Sequence, residues 1–468
     1  MSASSYVEKL IFREGSSDVL FSNNTASITR EEAVSVINKL ASLVHYTSSL
    51  SGARVGLVGL HRYETMLALL GLALGGAEVF LVDHSDFKSK SRQIAEDWNL
   101  DQYFLPTEIS RLDDSWSQVG SDSVIDFQIS TDADFFTVLS SGTTGTPKAI
   151  THSFLSSFGS ALDFSYSLKA EPRDCFLHNW PMHYMAGIFN LFLCPLVAGA
   201  SIHVAEPFST HVARSQLSDM ARLNVNRVLV SPTMVNILTR IGSSMPPNLS
   251  SLDIVCTSSI LYPSVAVKFS ELFQKNLRTC YGITEYGGSF TLGEVGPEDY
   301  SVGFPTRSVE IAVENQEILV KTPHVAKKVR YLDGGEKTFD PKVFHSTSDL
   351  GRMSQSGEVV LLGRTGDTIK KGGEFLSLVA VENCALTVTG ISDVMAIPSS
   401  SDFWGQDFRL KIVIDPLLSL DADDVVSRVS KHLASAMSAR AIPVSIEIED
   451  SIVRTSSGKP LRRFYLEN

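Results

Sequence analysis

Cysteine is scarce and poorly spaced for cross-linking. The five residues, Cys175, Cys194, Cys256, Cys280 and Cys384, form no C-x-x-C pair and leave one over. That excludes a disulfide framework or an evident zinc site and predicts buried free thiols in a reducing compartment. A positive balance is also missing: 52 acidic residues against 40 basic ones give a formal net charge of −12. Such a surface repels nucleic acid and anionic lipid, so neither is an expected partner. No basic segment followed by a long apolar run opens the chain, which sets the expectation of a cytoplasmic protein. Residues 175–205 lack Asp, Glu, Lys and Arg, but Asn179, Pro181, Asn190, Pro195, His178, His183 and His203 interrupt them. They read as a buried helix and strand beside an apolar pocket, not as a membrane span.

What is present is enough chain for more than one core. Single cores stop growing near about 250–300 residues, and this sequence has 468. Up to about residue 290, β-branched runs at 54–60, 78–82, 201–205, 227–230 and 253–257 alternate with helical stretches such as 63–74. That pattern predicts mostly parallel sheets covered by helices. From 302 to about 360, short alternating segments predict a small antiparallel or barrel-like sheet. A last segment of strands and helices, including 423–438, is long enough for a small α+β domain. The expected class is therefore α/β, with an N-terminal domain over 1–363 and a C-terminal one over 364–468.

The strand-like residues 135–140 run into SGTTGTPK at 141–148. Gly142 and Gly145 allow a sharp turn that brings backbone N–H groups to an anion. Hydroxyls of Ser140, Ser141, Thr143, Thr144 and Thr146 donate to phosphate oxygens, and Lys148 adds charge. The spacing is not that of a Walker A loop, because two residues separate the glycines and Ala149 follows the lysine. Taken alone, such a cluster is usually just a turn. The fuller stretch SSGTTGTPKAITHS resembles the phosphate loop of the adenylate-forming superfamily, which includes acyl-CoA synthetases, adenylating domains and luciferase.

Further stretches fall in that superfamily's order. Tyr281-Gly282-Ile283-Thr284-Glu285 resembles its Y-G-x-T-E: the tyrosine is a flat face for a purine, Thr284 a phosphate donor, and Glu285 a hard oxygen ligand for Mg²⁺. Ser258 and Ser259 take the place of its small-residue turn against adenine, with Ser258 where glycine is frequent. Residues 346–351, STSDLG, are similar to its T-G-D-L-G, so Asp349 is expected to accept both ribose hydroxyls, with Ser348 in the usual glycine's place. Residues 363–370, GRTGDTIK, resemble its G-R-x-D-D-x-I-K; Arg364 would contact ribose or phosphate, and Gly366 occupies the pivot of a mobile C-terminal domain. Gly372 and Gly373 would line a pantetheine path. Residues 454–462, RTSSGKPLR, match its R-T-x-S-G-K-x-x-R and make Lys459 the adenylation lysine.

The resemblance implies a two-step ligase. A carboxylate attacks the α-phosphorus of Mg·ATP and pyrophosphate leaves; Lys148, Glu285 and Lys459 are the expected catalytic residues. A thiol, from CoA or from the phosphopantetheine of a separate acyl carrier protein, then takes the acyl group. PMHYMAG at 181–187 is similar to the family's gate before the acyl pocket, which leaves His183 and Tyr184 as alternatives for the residue beside the carboxylate, with Gly187 behind them. The missing acidic residue in 175–205 favours a small organic acid without a charged amine. An amide-forming ligase and an inactive nucleotide-binding scaffold are the alternatives.

Overall fold

The structure, a computed structural model, describes residues 2–3, 7, 18–47, 50–111, 128–140, 147–209, 211–241, 251–295, 300–416, 418–454 and 460–467. The expected phosphate loop, 141–146, and Lys459 lie outside the described residues.

Two large sheets dominate. In one, strands Arg54–Gly59, Glu78–Asp83, Gln102–Phe104 and Asp134–Ser140 run parallel. Strands Lys148–Ser153, Lys328–Tyr331 and Glu336–Lys337 continue it antiparallel, for seven in all. The other has nine strands, with a parallel centre of Arg278–Thr279, Asp253–Cys256, Arg227–Val230, Cys175–His178, Ser201–Val204 and Val19–Ser22. The central strands are apolar on both faces, as a helix-covered parallel sheet requires.

Local signals account for the covering helices. Thr29 and Glu32 form a capping box at the start of Arg30–Tyr46. Helix Tyr63–Leu74 is buried along nearly its whole length and packs tightly on Arg30–Tyr46. A Cβ on Gly71 would lie 2.8 Å from Leu40 Cβ, and one on Gly75 would lie 2.5 Å from Val44 Cβ, so only glycine permits the approach.

The predicted antiparallel sheet over 302–360 is present as Glu310–Glu314, Glu317–Lys321, His345–Met353 and Val359–Arg364. Residues 328–337 depart from it and extend the seven-stranded sheet instead, where Arg330 pairs with Glu78. The C-terminal strands Thr368–Lys371, Glu374–Ser377, Ile391–Ser401, Gly405–Ile414 and Ser445–Ile448 form a further sheet. Its own apolar cluster runs from Ile369 to Ala441 and includes Leu410, Ile412 and Val429.

All five cysteines are free; Cys175 and Cys384 are half-buried where full burial was expected. Among the described residues no helix is long and apolar enough to cross a membrane.

Candidate active site

Three parallel strands of the nine-stranded sheet end at one place. The residues that follow them, at 232–233, 257–262 and 280–284, line a cavity of about 520 Å³. Side chains collect where parallel strands stop because the loops there are released from the ladder. The four-stranded sheet adds Asp349, Gly363 and Arg364 to the wall, and the C-terminal segment adds Asp367, Glu382, Asp393, Arg454, Pro460 and Arg462.

At one end of the cavity a carboxylate is held between two donors. Asp349 and Arg364 face each other on antiparallel strands. Arg364 Nε donates to Asp349 Oδ1 at 2.8 Å, and the Tyr281 hydroxyl donates to Oδ2 at 2.6 Å. Burial first, and the Asp349 charge second, hold the Tyr281 phenol well above its ordinary pKa, so it remains an O–H donor. Each carboxylate oxygen keeps a lone pair for a further donor. Ser258 and Ser259 lie on the same cavity, with Tyr184 Oη 3.5 Å from Ser258 Oγ.

Thr284 lines the cavity, and the next residue, Glu285, accepts from Lys148 Nζ. Lys148 begins the strand that follows the 141–146 segment and pairs across the ladder with Ser140. Gly282 lines the cavity too, but its missing side chain makes room for the protein's own chain: a Cβ there would stand 2.2 Å from Gly288 O. Gly366 sits in the turn Thr365–Asp367, where nothing lies within 4 Å of an added Cβ.

Four of the expected acyl-pocket and pantetheine-path residues stand outside the cavity lining. His183 is turned from the cavity towards Asp83, with Nε2 3.1 Å from Oδ2, while Asp83 also caps helix His84–Trp98. Tyr184 is therefore the one of the two that lines the cavity, stacked on Trp180. Gly187 is not part of the lining; a Cβ there would meet Pro181 O at 2.5 Å, which makes it a packing residue. Gly372 and Gly373, at φ +58° and +90°, form the two-residue turn between strands Thr368–Lys371 and Glu374–Ser377. In this arrangement they are also outside the cavity lining.

Several lining residues escaped the motif reading. Glu382 receives Tyr262 Oη at 2.5 Å, Arg462 Nη2 at 2.5 Å and the Ala396 N–H at 2.7 Å. Asp393 receives Arg454 Nη2 at 2.7 and 2.8 Å. Asn190, Cys280 and Ser289 form a buried polar cluster that also lines the cavity. Only Arg454 and Arg462 had a sequence signal, as ends of the 454–462 motif.

Comparison with known proteins gives these residues a context. The family model for AMP-binding enzymes matches residues 12–328. A 2-succinylbenzoate–CoA ligase of Staphylococcus epidermidis is 22% identical over 455 residues, covering 94% of this chain and 93% of that one. Among solved structures, ATP-bound MatB from Rhodopseudomonas palustris is similar at a TM-score of 0.84 and 18% identity, covering 100% of this chain and 99% of that one. The o-succinylbenzoate CoA synthetase of Bacillus subtilis, in complex with its acyl-adenylate, is similar at 0.80 and 19%, covering 99% and 97%. With the family model spanning more than half of its length, the chain belongs to the AMP-binding enzyme family.

Proposed function

We propose that this chain is an AMP-forming acid–thiol ligase: it converts a carboxylic acid and ATP to acyl-AMP and pyrophosphate, then passes the acyl group to a thiol, with CoA as the acceptor. The observation that carries this reading is the Tyr281–Asp349–Arg364 group, set on the same cavity as Thr284, whose neighbour in sequence, Glu285, pairs with Lys148.

In this reading Asp349 takes the two ribose hydroxyls on its free lone pairs, while Tyr281 and Arg364 hold it in place. Ser258 and Ser259 pack against the base. Polyphosphate competes for Lys148, assisted by Thr284 and by Ser140, Ser141, Gly142, Thr143, Thr144 and Gly145. Loss of Lys148 releases the Glu285 carboxylate. A single carboxylate suits Mg²⁺, which keeps water and phosphate as its other ligands, so Glu285 is the residue that would hold it. The bound ion would supply neutralisation of phosphate charge.

Lys459 is assigned the charge developing between carboxylate and α-phosphate. Arg454 and Pro460, on either side of the 455–459 segment, both line the cavity and support that assignment. We assign 1–363 and 364–468 as the two domains. The present position of Gly372 and Gly373 means that any role in thiol access needs the second domain to turn. A carrier protein's phosphopantetheine is the alternative acceptor, and a cytoplasmic location accompanies the reading.

Pyrophosphate release with Mg·ATP, measured across a panel of carboxylic acids with hydroxylamine as trap, tests the proposal. Acid-dependent release should fall by about a hundredfold or more in Lys459→Ala, in line with loss of a preorganised charge stabiliser. Release that persists at the full rate in that variant would overturn the assignment of Lys459. No release with any acid would favour a nucleotide-binding scaffold.

A further inference from the structure

The cavity lining includes Ala186 and Asn190 of the π-helical turn Ala186–Leu193, together with Cys280 and Ser289. Asn190 is the one amide in a run of buried apolar side chains, and it is 2% exposed. Its Nδ2 donates to Ser289 Oγ at 3.0 Å, its Oδ1 lies 3.3 Å from the same hydroxyl, and Cys280 Sγ donates to that hydroxyl at 3.2 Å. All three residues line the cavity. An amide carries two N–H donors and two acceptor lone pairs. Ser289, the partner the structure gives it among the described residues, engages at most one of each. One donor and one acceptor of the amide are left for a further partner. The fold alone gains little from this cluster, because matched apolar side chains in place of both partners would be close to neutral.

Charge is distributed differently. The cations among the described lining residues are Arg240, Arg364, Arg454 and Arg462. Each is bound to a carboxylate, on Asp415, Asp349, Asp393 and Glu382 respectively. Neither a cation nor an acid occurs among the lining residues of 184–190 and 279–289. A second carboxylate, such as 2-succinylbenzoate carries, would be buried there without a counter-ion, and an ammonium would fare no better.

We propose that the acid activated by this chain has a single carboxylate and presents a neutral hydrogen-bonding substituent, a hydroxyl or carbonyl, to Asn190 and Ser289. This rests on the acid-activating reading of the same cavity and goes further by naming the substrate class.

The test compares matched acids in acid-dependent pyrophosphate release: benzoate, the three hydroxybenzoates and the three benzenedicarboxylates, together with hexanoate, 6-hydroxyhexanoate and adipate. The best hydroxy acid of a series should exceed its unsubstituted parent by about tenfold in kcat/KM, the worth of one neutral hydrogen bond. The dicarboxylates should lag by about a hundredfold or more. In Asn190→Leu, and separately in Ser289→Ala, the ratio of hydroxy acid to parent should fall towards one. A dicarboxylate that is the best substrate, or a ratio unchanged in both variants, would overturn the proposal and leave adenylation standing. No release with any of these acids, despite ATP binding, would sink the proposal together with the adenylation reading.

Discussion

Two serines stand where the family often has glycine, and the backbone at both keeps a glycine-like conformation. Ser258 has φ +86° and Ser348 has φ +59°. A left-handed residue with a Cβ costs on the order of 1 kcal/mol. The turn at Ser348 is worth that cost because it directs the next residue, Asp349, between Tyr281 and Arg364. Glu317 supports it by accepting the Ser348 N–H at 3.1 Å. A β-branched side chain tolerates this region least. Ser348→Val should lower stability to urea by about 2 kcal/mol and raise the KM for ATP, whereas Ser348→Gly should fold at least as well as the wild type. Equal stability of the two variants would show that the turn is not strained.

At the scale of elements, helices Pro232–Ile241 and Pro263–Phe273 carry the contacts that hold the C-terminal segment against the nine-stranded sheet. Asn236 Nδ2 donates to Ser392 O at 2.8 Å, Arg240 pairs with Asp415 at 3.0 Å, and Ser264 Oγ donates to Asn383 Oδ1 at 2.8 Å. Glu382 is the buried hub, at 1% exposure, tied to Tyr262 just before one helix and to Arg462 near the end of the chain. Removing one partner of a buried ion pair leaves a charge uncompensated. Arg462→Ala should therefore cost about 3–5 kcal/mol in urea unfolding. Arg240→Ala, whose ion pair is partly exposed, should cost about 1 kcal/mol or less. Comparable losses in the two variants would show that burial of Glu382 does not decide the strength of the contact.

For the whole molecule, buried imidazoles contribute to the response to acid. His152 is fully buried behind Thr284, and burial, opposed in part by the Thr284 backbone, pushes its pKa down to about 4. His178 is likewise buried; desolvation, then the neighbouring His61, bring it to about 3. Both are depressed below their unfolded value, so the unfolded chain takes up protons that the folded chain refuses. Their contribution to stability is complete above about pH 6.5 and falls as pH drops towards 4. His152 alone accounts for about 3 kcal/mol over that window, at about 1.4 kcal/mol per pKa unit. Urea unfolding at pH 7 and pH 4.5 should show the loss, and His152→Leu should reduce it by about 2 kcal/mol. An undiminished loss in that variant would assign the acid sensitivity elsewhere.

The parts of the molecule that depend on neighbours along the chain were legible in the sequence. The strand positions and the antiparallel character expected from 302 to about 360 follow from side-chain alternation, which acts over a few residues, whereas Tyr281, Asp349 and Arg364 stood out only through their resemblance to the family's motifs. Tertiary structure alone chose the partners. Tyr281 meets Asp349 across 68 positions, and Tyr262 meets Glu382 across 120. Strand Lys328–Tyr331 leaves the sheet of its sequence neighbours for Lys148–Ser153, and His183 yields the cavity wall to Tyr184 because Asp83 captures its imidazole. Local sequence sets which conformations a segment adopts cheaply, but the direction of a side chain and the charge it finds are set by packing between distant elements.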